Sequence, residues 1–105
     1  MSATPELQAT MDELDRRSAH LIDTDAELLK SLKASRIRSE LSVETVAERM
    51  SVSPETVEEF EKYYANPTMS LIRRYAMAVN LELTHTAVEL PIITDEDVRG
   101  SFENR

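Results

Sequence analysis

Three carboxylates, Glu55, Glu58 and Glu59, cluster beside the hydroxyls of Ser53 and Thr56. A carboxylate can accept a hydrogen bond from cytosine N4, but it repels phosphate. Of the cations, Lys33, Arg36, Arg38, Lys62, Arg73 and Arg74 could each meet a phosphate oxygen. Tyr64, Asn66 and Thr68 add neutral donors for the same groups. Contact with double-stranded DNA is one chemistry these residue types can do. Holding a basic partner protein is the other.

Other chemistries find little support. His20 and His85 are the only histidines and stand far apart, and cysteine is absent. A metal site, a disulfide and thiolate catalysis are therefore not expected. Asp95-Glu96-Asp97 lacks the ligand spacing and glycine of a calcium loop and reads as a solvated or capping cluster. No serine has a base placed to activate it, so no enzyme and no cofactor are expected. The single glycine, Gly100, rules out glycine-rich phosphate loops and argues against a hairpin-rich β fold. Met50, Met69 and Met77 read as core or interface filling. Tyr63 and Tyr64 either touch a phosphate or cover the core. His85 reads as a packed strand residue.

The chain has 105 residues, which suits one domain able to bury a core without staples. Its net charge of −8 is unevenly placed. Residues 1–29 carry −5, residues 30–50 carry +2, residues 51–80 carry −1 and residues 81–105 carry −4. A nearly neutral centre thus lies between acidic flanks. Those flanks are solvated faces, or they screen DNA or meet a basic partner. Met1–Thr10 has no basic-then-apolar block, and no apolar run suits a membrane span. A cytoplasmic, mostly helical protein away from membranes is expected.

The elements that would position these groups follow from caps and spacing. Thr4-Pro5-Glu6 starts a helix that runs to about Ile22 with Leu7, Met11, Leu14, Leu21 and Ile22 apolar. The first three are expected to cover the domain's own core or, alternatively, to dock a partner protein. Asp23-Thr24-Asp25 reads as a break, and Ala26–Ser39 as a second helix, with Leu28, Leu29, Leu32 and Ile37 available for a core. Ser42 caps a short helix, Val43–Met50. Ser53-Pro54-Glu55 starts another, which runs to about Lys62. Thr68 caps Met69–Val79, whose apolar positions are Leu71, Ile72, Tyr75, Ala76 and Val79, and Asn80 suits a left-handed helix end. The alternation of Leu81-Glu82-Leu83-Thr84, with Thr86 and Val88, favours a short strand over Leu81–Leu90. Its pairing partner would be the same strand of a second copy.

Two short helices joined at Ser51-Val52, with small Ala47 at their crossing, form the pattern of a helix-turn-helix. Leu41-Ser42, Val46–Ser53, Thr56-Val57, Phe60-Glu61-Lys62 and Asn66-Pro67-Thr68 together resemble the Xre/Cro-like, lambda-repressor-like family. The resemblance covers about Ala26–Leu83. It implies an all-α, five-helix-type bundle whose recognition helix, Pro54–Lys62, enters the major groove. It also implies a partly buried pair between Arg36 and Glu61. Ser51 stands where the family has glycine. Pro54, Glu55, Glu58 and Glu59 occupy a face the family fills with Gln, Arg, Ser and Asn. The run Arg73–Asn80, followed by the strand-like segment, is similar to the antitoxin branch of the HigB/HigA kind.

The expected organisation is an acidic helical extension over 1–24, a helix-turn-helix domain over 25–83, and a dimer-forming strand with an acidic tail over 84–105. The expected function is a sequence-specific DNA-binding transcriptional repressor acting as a homodimer. Glu55, Thr56, Glu58 and Glu59 would face bases. Lys33, Arg38, Ser53, Lys62, Tyr64, Asn66 and Thr68 would contact or position the DNA backbone. The alternative is an antitoxin or adaptor whose acidic flanks hold a basic protein, such as a toxin, with weak or altered DNA binding.

Overall fold

The computed structural model describes residues 4–93. Four α-helices occupy them: α1 (Pro5–Arg38), α2 (Val43–Met50), α3 (Pro54–Phe60) and α4 (Met69–Ala78). Each has a hydroxyl at its start. The Leu7, Thr45, Thr56 and Leu71 amides donate to the side chains of Thr4, Ser42, Ser53 and Thr68 at 3.1, 3.1, 3.2 and 3.2 Å. These bonds satisfy amides that have no partner within the helix. Pro5 and Pro54 open α1 and α3, where a missing N–H costs nothing.

The structure corrects the expected architecture in three places. Asp23-Thr24-Asp25 is not a break, because α1 continues through it as one helix. No glycine or proline stands there to stop it, and the Thr24 hydroxyl donates back to the His20 carbonyl at 2.8 Å. The bundle therefore has four helices among the described residues rather than the five-helix type. Those residues also contain no strand, and Leu81–Ile93 is irregular. Leu81 and Leu83 are partly buried against the core while Glu82 and Thr84 are exposed. Their alternation marks which side chains turn inward, and among the described residues no second segment offers a ladder to pair with. His85 is exposed in this stretch rather than packed in a strand. The tail from Thr94 lies outside the described residues.

The described residues divide into two units, residues 25–85 and residues 4–24 with 86–93. The first holds the core: Leu32 of α1, Val46, Ala47 and Met50 of α2, Val57 and Phe60 of α3, and Tyr75, Ala76, Ala78 and Val79 at the end of α4. α2 packs against both α3 and α4. The Phe60 and Tyr75 rings stack with centroids 4.4 Å apart. Ile37, Met69 and Met77 are exposed, so only Met50 of the three marked methionines fills the core. In the second unit, Arg17 bonds Glu13 at 3.2 Å and donates to the Pro91 carbonyl at 3.1 Å. Leu7, Met11 and Leu14 are exposed there and cover no core.

The turn between α2 and α3 rests on Ser51, which is left-handed at φ 58°, ψ 44°. Its amide donates to the Glu48 carbonyl at 3.1 Å, and the Val52 amide to Ala47 at 3.0 Å. A side chain with a Cβ is disfavoured in this conformation. Ser51→Gly is expected to stabilise the protein by about 1 kcal/mol, seen as a Tm rise of about 5 °C. An unchanged or lower Tm would show that the serine is favoured for another reason.

Candidate nucleic-acid interface

α3 sorts its residues by side. Val57 and Phe60 are buried, whereas Glu55, Glu58 and Glu59 are exposed. Ser53 and Thr56 are already engaged: their hydroxyls lie 2.9 Å apart, and Ser53 accepts the Thr56 amide. Thr68 is likewise the N-cap of α4. These three serve the fold locally.

Lys62 donates to Glu59 at 2.7 Å and lies over the Tyr64 ring at 5.6 Å. The bond to Glu59, aided by Tyr64, pushes the Lys62 pKa up to about 12. This lysine and Glu59 offset each other's charge. Glu55 and Glu58 then leave the exposed face of α3 acidic. Tyr63 and Tyr64 meet edge to face and are exposed, so they do not cover the core. Lys33, Arg38, Asn66, Arg73 and Arg74 also present exposed side chains.

Arg36 is committed elsewhere. Its Nε donates to Glu61 Oε2 at 2.6 Å and its Nη2 to Oε1 at 2.8 Å, while Nη1 reaches the Leu41 carbonyl at 3.0 Å. Such a two-pronged bond suits a planar guanidinium. The Tyr75 hydroxyl donates to the same Glu61 oxygen at 2.7 Å. Burial, and then the bond to Glu61, holds the Tyr75 phenol well above its usual pKa. The bond to Glu61 also raises the Arg36 pKa, against the opposing effect of burial. One carboxylate thus ties the C-terminal end of α3 to α1 and α4.

Sequence reasoning missed two of these ties. Tyr75 was legible only as an apolar position of α4. Arg49 donates from α2 to the Ala78 carbonyl at 2.8 Å, satisfying the end of α4. No local pattern in the sequence marks that bond. Among the described residues no cluster of histidine and acidic side chains could hold a metal ion. No helix of the described residues is long and apolar enough to cross a membrane.

A helix-turn-helix family profile matches residues 32–85, the segment that contains α2, the Ser51 turn, α3 and α4. The chain belongs to the helix-turn-helix family. Its domain is of the Xre/Cro-like kind and is homologous to that of HigA1-type antitoxin proteins. Antitoxin HigA1, from each of two strains of Mycobacterium tuberculosis, is 30% identical over 95 residues. That alignment takes in 90% of this helix-turn-helix chain and 58% of each relative, so the chain spans little more than half of their length. No solved structure matches it.

Proposed function

We propose that this helix-turn-helix chain is an antitoxin-type regulator that holds a small basic protein partner and binds DNA weakly or with altered preference. The similarity to the HigA1 antitoxins carries the reading. It extends across 90% of the chain, well beyond the helix-turn-helix segment at 32–85. The charge pattern supports it, because residues 1–29 carry −5 and suit a cationic surface. The exposed carboxylates of α3 support the weakened DNA contact.

A second reading is a sequence-specific repressor that acts as a homodimer. The α3 geometry favours it, since Glu55, Glu58 and Glu59 are exposed on a helix pinned by the core. Glu55 or Glu58 would accept from cytosine N4, and Lys33, Arg38, Tyr64 and Asn66 would meet phosphates.

Fluorescence anisotropy with a duplex from the gene's own upstream region and a scrambled duplex, at two salt concentrations, separates the two. The antitoxin reading expects weak binding by the chain alone, and about fivefold stronger binding of both duplexes by the E55Q/E58Q variant. Tight binding of the upstream duplex alone, lost in that variant, would favour the repressor. Co-expression with the protein encoded next to it tests the partner directly. Failure of a small basic neighbour to co-purify with the full chain would remove the antitoxin reading.

A further inference from the structure

The first half of α1 carries an apolar stripe that the described structure leaves open. Leu7, Met11, Leu14, Leu21 and Ile22 recur at helical spacing and fall within a band about 100° wide. They are between 39% and 64% exposed. The shielded residues of this helical stretch lie on a neighbouring face: Thr10 is buried, and Glu6, Ala9, Glu13 and Arg17 are partly so. Arg17 meets the Pro91 carbonyl from that face. The side of the helix that its own unit shields is therefore not the apolar side.

Five large apolar side chains along one helix are a feature of protein-binding surfaces, not of a solvated spacer. Charge selects the occupant. Asp15 and Asp25 stand beside or on the stripe in helical register, and residues 1–29 carry −5. A second copy docked through the same stripe would oppose one −5 surface with another, an unfavourable juxtaposition. A basic partner would meet complementary charge around an apolar centre.

We propose that this stripe is the docking surface for the basic partner protein, with Leu14, Leu21 and Ile22 as its anchors. The inference rests on the antitoxin-type reading and gives that partner its place. Contact through the acids of α3 is the arrangement it excludes.

The test uses the full chain and the purified basic protein encoded beside its gene, by titration calorimetry. The L14A/L21A/I22A variant keeps good helix formers at exposed positions, so circular dichroism should match the parent. Its affinity for the basic protein is expected to fall by about thirtyfold or more. The E55Q/E58Q variant is expected to bind as the parent does. Equal binding by parent and L14A/L21A/I22A would overturn the docking surface while leaving the antitoxin reading in place. No binding by the parent would end both. A dimer of the chain alone that dissociates in the L14A/L21A/I22A variant, seen by sedimentation, would make a second copy the occupant and overturn the proposal.

Discussion

Glu61→Ala is expected to destabilise the helix-turn-helix unit by about 3–5 kcal/mol, measured by urea unfolding at neutral pH. The side chains of Glu61 and Arg36 are only 7% and 14% exposed. Removing the carboxylate leaves the guanidinium partly buried with one carbonyl contact, at Leu41, and takes the acceptor from the Tyr75 hydroxyl. Leaving such groups unpaired costs more than their pairing contributes. A small domain has about 5–15 kcal/mol in total, so the variant is expected to be marginal. Changing both partners together, as R36M/E61L, should cost markedly less than either single loss. A Glu61→Ala loss below about 1 kcal/mol would show that the pair behaves as an exposed one.

Phe60→Ala is expected to cost about 3–5 kcal/mol, because it opens a cavity in the small core. Phe60 is buried and stacks on Tyr75, so its truncation also strips the tyrosine of its ring partner. Phe60→Leu retains most of the apolar contact and should cost less. Glu58→Ala, at an exposed position between the two buried residues of α3, should change stability by no more than about 0.5 kcal/mol. The comparison is informative because all three variants alter the same helix. Loss of DNA or partner binding in Phe60→Ala would report unfolding, whereas loss in Glu58→Ala would report contact. A Phe60→Ala variant as stable as Glu58→Ala would place the core elsewhere.

The three short helices were legible because each combines a hydroxyl cap with an inward apolar pair or triplet. Ser42 with Val46, Ala47 and Met50 is the plainest instance. α1 was misread at Asp23-Thr24-Asp25, where cap-forming residue types lie inside a helix. Such residues only offer a start, and a helix already under way passes through them unless glycine or proline intervenes. The strand over Leu81–Leu90 failed for a different reason. Alternation tells which side chains turn inward, and that pattern is shared by an extended segment lying on helices. Pairing needs a second segment, which no local pattern can supply.

The candidate site divides in the same way. Exposure on α3 follows from periodicity, since Val57 and Phe60 turn inward and Glu55 and Glu58 cannot. Long-range bonds do not follow. Arg36 and Glu61 are 25 residues apart, and their pairing was indicated only by family resemblance. Tyr75 is 14 residues beyond Glu61, and its spacing marked it as apolar while its hydroxyl carries the third contact. Arg49 to Ala78 spans 29 residues and had no pattern behind it. Polar ties between elements depend on tertiary placement, which one-dimensional spacing does not encode.

The buried and exposed residues of α3 are disjoint sets, and this bears on how such a protein can change over generations. Val57, Phe60 and Glu61 hold the helix in place, and Glu55, Glu58 and Glu59 take no part in the core. Mutations at the outer three positions can therefore accumulate with little effect on folding, and selection can act on what they meet. Acids can be traded for amides or bases one codon at a time, each intermediate still a folded protein. The same separation makes this helix a receptive place to transplant the outward residues of another recognition helix. A lineage could acquire or abandon an operator while its scaffold stayed as it was.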